Sequence, residues 1–244
     1  MDLNAYLREA KVLKELKRIT YEEYDIADII GNFLEIGKTI INAKDKSEFI
    51  FDSNNAGVIK NLLLWAMGNV AIKDMLLGSA KKGFNHDAHI NKGIYITGPT
   101  GVGKTTLLDI LNMFCRVNQI PVVRTDETGK NNSWIIRFQK YSAVEITREY
   151  KETGSIKSFL DIPFLYIDDL GEEPTKIYNR GNTTNALREI IEYRGDQGNQ
   201  LTIFTSNISF TSKDFADLYG DRAQSRLYKM CNLYYLDGSD KRRL

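Results

Sequence analysis

The chain has 244 residues, of which 42% are hydrophobic, and its 33 Lys and Arg residues almost balance its 32 Asp and Glu residues. This length and composition suit one large domain with its own core, with room for a small appendage. A net charge near zero gives no global attraction to nucleic acid, and two cysteines, Cys115 and Cys231, exclude a disulfide framework and fit a reducing compartment.

Residues 1–44 are predicted to form a mostly helical segment, because apolar side chains recur at helical spacing opposite a charged face. Such a segment suits either a helical cap on the main domain or a partner-docking element. The N-terminus lacks the basic and apolar regions of a signal peptide, and lysine, asparagine and aspartate interrupt the longest apolar run, residues 58–77. We expect a cytoplasmic protein with no membrane association.

From about residue 45 onward, short apolar runs alternate with segments of helical period, and the predicted main domain is 45–244. The predicted strands are residues 93–98, 121–125, 134–138, 164–169 and 201–207. The clearest predicted helices are residues 105–117, 143–150 and 184–194. Short strands that alternate with helices predict the α/β class, with a mostly parallel sheet flanked by helices.

The most specific stretch, GIYITGPTGVGKTT, spans the first predicted strand and the start of the helix after it. Gly98, Gly103, Lys104 and Thr105 match the phosphate-loop pattern G-x-x-x-x-G-K-[ST]. The glycines let backbone N–H groups surround phosphate oxygens, Lys104 supplies charge for the β and γ phosphates, and the Thr105 hydroxyl can ligate Mg²⁺. The predicted nucleotide-binding residues are Gly98, Pro99, Thr100, Gly101, Val102, Gly103, Lys104, Thr105 and Thr106.

Polar side chains end two later strands. In FLYIDDLGEE we expect Asp168 to hold Mg²⁺ and Asp169 to orient or deprotonate the attacking water, with Glu173 in reserve because Asp169 is short. In LTIFTSN, Asn207 is expected to sense the γ phosphate or hold the attacking water.

The order of these motifs resembles the AAA+ ATPases, most closely the DnaC-type helicase loaders and the IstB-type transposition ATPases. GPTGVGKTT, YIDDLGEE, FTSN and GDRAQSRLYKMC carry the resemblance, which covers roughly residues 49–236. It implies ATP as the nucleotide and a P-loop NTPase fold. Only CNLYYLDGSDKRRL follows the last predicted helix, so we expect no C-terminal lid domain, and Arg242 and Arg243 could partly replace the lid's sensor arginine.

The same resemblance implies that Arg226 is an arginine finger, which contacts the γ phosphate bound by the neighbouring subunit, with Arg222 as its companion one helical turn earlier. A planar, permanently charged guanidinium suits this role. Action in trans implies nucleotide-dependent oligomers. The alternative is a solvated amphipathic helix with two surface arginines.

Loaders of this type bind single-stranded DNA through the segment before the acidic strand. Here that segment contains Arg137, Lys140, Tyr141 and Arg148, a mixture of basic and aromatic side chains that suits stacking and backbone neutralisation. Neighbouring glutamates dilute the charge, so a solvated helix face is the alternative.

The expected function is ATP-dependent loading of a hexameric replicative helicase onto single-stranded DNA, with ATP bound and hydrolysed at subunit interfaces and residues 1–44 docking the helicase. A transposition helper ATPase would share the same site. A P-loop nucleoside or small-molecule kinase, and a switch that binds ATP but scarcely hydrolyses it, are further alternatives.

Overall fold

A computed structural model describes residues 16–21, 23–44, 51–74, 88–125, 130–174, 176–179, 182–198 and 200–241. Residues 1–15, Arg242 and Arg243 therefore lie outside the described residues. The strands are β1 (Leu16–Arg18), β2 (Gly93–Thr97), β3 (Pro121–Thr125), β4 (Asn131–Ile135), β5 (Gln139–Ser142), β6 (Phe164–Leu170), β7 (Ile177–Asn179), β8 (Asn182–Thr184), β9 (Leu201–Ser206) and β10 (Cys231–Tyr235). The helices are α1 (Ile26–Lys44), α2 (Ala56–Ala66), α3 (Lys104–Val117), α4 (Ala143–Thr153), α5 (Lys157–Leu160), α6 (Ala186–Gln197) and α7 (Lys213–Met230), with a 3₁₀ turn at Val70–Asp74.

The central sheet of the described chain has five strands in the order β10-β2-β9-β6-β5, and every neighbouring pair is parallel. β9 therefore lies between β2, which leads into the phosphate loop, and β6, which carries the two aspartates. The carboxyl ends of these three strands meet at one edge of the sheet. The predicted α/β class with a parallel sheet is confirmed.

Helices cover both faces of this sheet. Along β2, Ile94 and Ile96 pack into a core with α1, α2 and α3, whereas Tyr95 points to the opposite core with α4, α6 and α7. Successive side chains of a strand point to opposite faces, so a strand buried on both sides is apolar throughout. This explains why β2 reads as an uninterrupted apolar run.

The N-terminal part of the described chain packs onto the main core. Residues 26–44 form helix α1 as expected, and Phe33 of α1 lies 6.0 Å from Phe114 of α3, between ring centroids. Residues 16–18 instead form strand β1, antiparallel to β3, where Arg18 donates hydrogen bonds to Trp65 O (2.7 Å) and Ala66 O (2.6 Å). The last carbonyls of a helix lack donors from a following turn, and Arg18 supplements the bond that Trp65 O accepts from Gly68 N (3.0 Å), so tertiary contacts override the local helical pattern.

The strand predicted at 134–138 is shifted and divided. β4 ends at Ile135 because its register is set by antiparallel pairing with β3, in which Trp134 lies opposite Val122. The backbone then leaves this small sheet, and Phe138 N donates to Asn112 Oδ1 on α3 (2.9 Å) before β5 joins the central sheet. Ile136 and Phe138 are buried without belonging to a strand, which explains the apolar run.

A buried arginine joins the amino ends of β6 and β9. Arg194 of α6 is 1% exposed, and burial lowers the pKa of its guanidinium to about 9. It donates to Thr202 Oγ1 (2.8 Å) and to four carbonyls, those of Phe159, Leu160, Ile162 and Leu201. These bonds fix the relative positions of two strands whose other ends form the candidate site.

No helix in the described ranges combines the length and the apolar character that crossing a membrane requires.

Candidate active site

The phosphate loop connects β2 to α3, and its shape depends on glycine at two positions. Gly103 caps the N-terminus of α3 with φ 97°, a left-handed conformation that side chains disfavour. Gly101 has φ 82°, and a Cβ added there would lie 1.9 Å from Asp240 Oδ1. Val102 is 2% exposed and anchors the loop in the core, whereas Pro99 and Thr100 are exposed. The loop thus places the positive N-terminus of α3 where an anion can bind.

The segment after β10 forms a wall beside this loop. Leu236 N donates to Thr97 O (2.8 Å), and Lys241 N donates to Gly101 O (3.0 Å). The Lys241 ammonium also pairs with Asp52 Oδ2 at 3.1 Å. The sequence placed residues 236–241 only in the stretch that follows the last predicted helix, because no local pattern reveals a contact with a loop so distant in the chain.

Lys104 connects the phosphate loop to the end of β9. Its Nζ donates to Gly98 O (2.8 Å), Pro99 O (2.8 Å) and Asn207 Oδ1 (2.7 Å), and the residue is buried. Phosphate oxygens are stronger acceptors than these neutral groups. A bound triphosphate can therefore draw the ammonium from its present acceptors.

Asp168, at the end of β6, accepts hydrogen bonds from three hydroxyl groups on Oδ1. The donors are Thr105 (2.9 Å), Thr205 (2.6 Å) and Tyr166 (3.0 Å), while Oδ2 pairs with Lys140 Nζ at 3.0 Å. Burial alone raises the pKa of Asp168, but the Thr205 hydrogen bond and the Lys140 charge outweigh it, so the pKa lies below its usual value. The carboxylate is therefore ionised at neutral pH.

These residues fit a magnesium site that is completed by substrate. The Thr105 hydroxyl and the ionised Asp168 carboxylate are adjacent hard oxygen donors, the ligand type that Mg²⁺ prefers. Within the described ranges, no cluster of three or more His, Cys, Asp or Glu side chains could hold a metal by itself. Mg²⁺ commonly takes only one or two protein ligands and fills its shell with water and phosphate.

Asp169 adopts an unusual backbone conformation. Its φ is 55°, in the left-handed region, and its N–H donates to Thr205 Oγ1 at 2.8 Å. Burial and the neighbouring Asp168 charge raise the pKa of Asp169, partly offset by Lys104. Strained backbone of this kind concentrates at functional sites. Asp169 is exposed at the edge of the sheet where the phosphate loop lies, and the Lys104 charge acts on its carboxylate.

The structure separates the two glutamates that follow. Glu172 Oε1 accepts a hydrogen bond from Asn207 Nδ2 at 2.9 Å, so Asn207 bridges Lys104 and Glu172. Glu173, the reserve residue, is buried and accepts hydrogen bonds from Tyr219 Oη and from Gly171 N, and burial raises its pKa. Glu172 therefore lies beside Asn207, which sequence reasoning missed because adjacent acids carry no signal that distinguishes them.

Arg222 and Arg226 both lie on α7, beyond a kink at Gly220, where φ is 81°. Both are paired with carboxylates of α6: Arg226 Nε lies 2.5 Å from Asp196 Oδ1, and Arg222 Nη2 lies 3.2 Å from Asp196 Oδ2. Within the described chain, neither arginine contacts Lys104 or Asp168. This placement is compatible with action on a neighbouring subunit.

The four predicted DNA-contacting residues differ in their surroundings. Arg137 and Arg148 are exposed. The Lys140 ammonium instead pairs with Asp109 (2.8 Å) and Asp168, and the half-buried Tyr141 ring packs on Phe159 with centroids 5.1 Å apart. Lys140 therefore lies beside the proposed metal-binding residue Asp168. This contact could be recognised only from the folded structure.

No family model matches the chain, and no curated protein matches it. A solved structure of a proposed primosome component from Streptococcus pyogenes serotype M3 is 18% identical, with a TM-score of 0.50, over 79% of this chain and 85% of that chain. The structure of the DnaC helicase loader is 22% identical, with a TM-score of 0.47, over 79% of this chain and 94% of that chain. The structure of AMPPCP-bound DnaA from Aquifex aeolicus is 20% identical, with a TM-score of 0.43, over 80% of this chain and 50% of that chain. These are AAA+ proteins, and the first match confirms the predicted fold.

Proposed function

We propose that this chain is an ATPase that loads a hexameric replicative helicase onto single-stranded DNA. One observation carries the ATPase assignment: Lys104 of the phosphate loop meets Asn207 of β9 at 2.7 Å, while Thr105 meets Asp168 of β6 at 2.9 Å. Three strands thus bring a phosphate-binding cation, a metal-binding pair and a polar amide to one edge. The fold shared with a proposed primosome component supports the loader assignment.

ATP binds with its phosphates at the N-terminus of α3. The loop amides and Lys104 hold the β and γ phosphates, and Lys104 exchanges carbonyl acceptors for phosphate oxygens. Thr105 and Asp168 hold Mg²⁺, which supplies charge neutralisation for the phosphates. The hydrogen bonds that Asp168 accepts from Thr205 and Tyr166 keep it ionised and fixed in orientation.

Hydrolysis requires a base beside the γ phosphate. Asp169 accepts the proton of the attacking water as the water oxygen bonds to the γ phosphorus, and the bond between that phosphorus and the bridging oxygen breaks to release ADP. A raised pKa makes Asp169 a better proton acceptor than an ordinary carboxylate. Asn207, held between Lys104 and Glu172, orients the water or the γ phosphate.

Arg226 of a neighbouring copy stabilises the charge that develops in the transition state of phosphoryl transfer. An arginine supplied in trans accelerates phosphoryl transfer by roughly 10³- to 10⁵-fold in well-studied NTPases. Hydrolysis therefore depends on assembly, and neighbouring subunits contact each other at the bound nucleotide. Arg137 and Arg148, both exposed, are the basic side chains proposed to contact the DNA backbone.

Residues 1–44 are the proposed helicase-docking element. Leu16 and Phe33 are buried in the main core, so removal of the whole segment would also damage the ATPase domain. Deletion of residues 1–15 alone leaves β1 and α1 in place. Loss of helicase binding with normal ATP hydrolysis is the expected result, and unchanged helicase binding would exclude residues 1–15 as the docking element.

ATP turnover per subunit, measured across protein concentrations with and without single-stranded DNA, tests the proposal. We expect turnover to rise with concentration and with DNA, and to collapse in Arg226→Ala while nucleotide binding persists. Lys104→Ala, which should lose binding as well, is the control. Turnover that is independent of concentration, DNA and Arg226 would instead indicate a self-sufficient P-loop enzyme such as a kinase.

A further inference from the structure

We propose that Asp196, on α6, is the positioning residue of the trans-acting Arg226, and that Arg226 rather than Arg222 is the arginine finger. This inference rests on the proposed function, because it concerns how one subunit presents an arginine to the ATP of another. Nothing in the phosphate-loop motifs points to α6. Three sets of contacts made by residues of α6 support this inference.

The first contact is the ion pair between Arg226 Nε and Asp196 Oδ1, at 2.5 Å. The Nε–H is not directed at the carboxylate, so the contact is an electrostatic pair rather than an aligned hydrogen bond. Both side chains are partly exposed, at 32% and 39%. Among the described residues, the terminal nitrogens of Arg226 have no ion-pair partner, and these two nitrogens form the fork that matches phosphate oxygens.

The second contact lies one residue earlier on α6. A Cβ added at Gly195 would lie 2.6 Å from Arg226 Cβ, which a real side chain could not tolerate. Glycine inside a helix costs roughly 0.5–1 kcal/mol relative to alanine. Gly195 allows α7 to approach α6 closely at Arg226. Gly195 and Asp196 therefore hold Arg226 at both ends, at its Cβ and at its guanidinium.

The third set of contacts separates the two arginines. Arg222 uses Nε on Glu192 (3.3 Å) and Nη2 on Asp196 (3.2 Å), so one of its two terminal nitrogens is already engaged within its own subunit. Arg188 Nε also pairs with Glu192, at 2.8 Å. Three guanidinium groups thus share two carboxylates. Of the two arginines on α7, Arg226 is the one whose fork has no such partner in the described chain.

Subunit mixing tests the proposal. Donor subunits carry Lys104→Ala, which disables their own ATP site but leaves Arg226 intact. Acceptor subunits carry Arg226→Ala, which leaves their ATP site intact but removes the finger. Neither hydrolyses ATP alone, and their mixture should recover turnover at the sites where a donor faces an acceptor. Asp196→Ala is then placed in the donor or in the acceptor, and Asp221→Ala, an exposed acid on α7, is the matched control.

We expect Asp196→Ala in the donor to lower the turnover of the mixture by about tenfold or more, because small misplacements of catalytic groups have effects of this size. The same change in the acceptor, and Asp221→Ala in the donor, should leave turnover within about twofold. Asp196→Glu in the donor should restore much of the rate. The protein concentration giving half-maximal turnover should stay constant, since the effect is on catalysis and not on assembly.

Equal losses in donor and acceptor would overturn the positioning role and indicate a structural one. An unchanged or higher turnover with the donor variant would also overturn it, because the ion pair would then contribute nothing to catalysis or would restrain Arg226. The proposed function fails separately: if unmodified donor and acceptor subunits recover no turnover while the wild-type protein hydrolyses ATP, Arg226 does not act in trans.

Discussion

Replacement of Thr205 by valine removes one hydroxyl that forms hydrogen bonds with both aspartates at the end of β6. Thr205 is fully buried on β9, where its Oγ1 donates to Asp168 Oδ1 at 2.6 Å and accepts from Asp169 N at 2.8 Å. Valine has nearly the same shape and cannot make either bond. The substitution therefore tests the bridge without creating a cavity.

The expected cost follows from the two bonds. A hydrogen bond to a charged group contributes about 1.5–3 kcal/mol, and a buried N–H left without a partner costs about 1–3 kcal/mol. Asp168 retains the hydroxyls of Thr105 and Tyr166 and its pair with Lys140, so the lower half of each range applies. We expect a loss of about 3 kcal/mol, which lowers the Tm of a domain of this size by about 6–12 °C.

Catalysis should suffer more than nucleotide binding. Asp169 holds a left-handed backbone conformation that costs a side chain roughly 1–2 kcal/mol, and Thr205 fixes its N–H. Without that bond the backbone of Asp169 can relax, and its carboxylate then leaves the position from which it is proposed to accept the proton of the attacking water. Thermal unfolding, nucleotide binding and ATP turnover of Thr205→Val should be compared with those of Thr205→Ser, which keeps the hydroxyl and loses only a methyl group.

The stability difference also depends on pH. The folded-state pKa of Asp168 is depressed, so its stabilisation is present above the unfolded-state pKa and is lost as pH falls through the folded-state value. Thr205→Val weakens this term, and the gap in unfolding free energy between wild type and variant should narrow as the solution is acidified from neutral pH. A valine variant that unfolds within about 1 °C of the serine variant at neutral pH would refute the reasoning.

Three further changes have defined outcomes. Arg194→Met should lower the midpoint of thermal unfolding sharply, because four carbonyls and the Thr202 hydroxyl lose their hydrogen-bond donor, while ATP should still bind at low temperature. An unchanged midpoint would contradict this prediction. Lys140→Met should raise the pKa of Asp168 and move the acid limb of the turnover profile to higher pH, whereas an unmoved limb would exclude the ion pair as its cause. Gly101→Ala should weaken ATP affinity, measured by titration, because its Cβ would meet Asp240 and its φ is 82°; wild-type affinity would count against the described loop.

The phosphate loop and the acidic strand could be predicted because their chemistry is local. Gly103, Lys104 and Thr105 must be consecutive to cap a helix and reach phosphate, and an apolar run that ends in two aspartates is readable as it stands. The alternation of strands and helices likewise predicted the parallel sheet. These features depend on neighbours in the sequence. Of the predicted strands, residues 93–98, 164–169 and 201–207 correspond to strands of the parallel sheet, whereas residues 121–125 and the shifted strand predicted at 134–138 lie in the small antiparallel sheet with β1.

Other features depend on the order of strands in space. Thr205 reaches Asp168 only because β9 lies beside β6, and Lys140 reaches the same carboxylate only because β5 lies on the other side. Residues 16–18 form a strand because β3 offers an edge, although their local pattern is helical. A sequence pattern carries no information on such pairings, so these residues were either missed or given another role.

The position of β9 has a consequence for how the protein is synthesised. β2 and β6 are both complete before β9 emerges from the ribosome, yet each lacks its native partner on the edge where β9 later pairs. A nascent chain that ends within α6 therefore leaves both edges of β2 and one edge of β6 unpaired, and such apolar strand edges are prone to aggregate. The chain therefore needs protection from aggregation until β9 and then β10 have been translated.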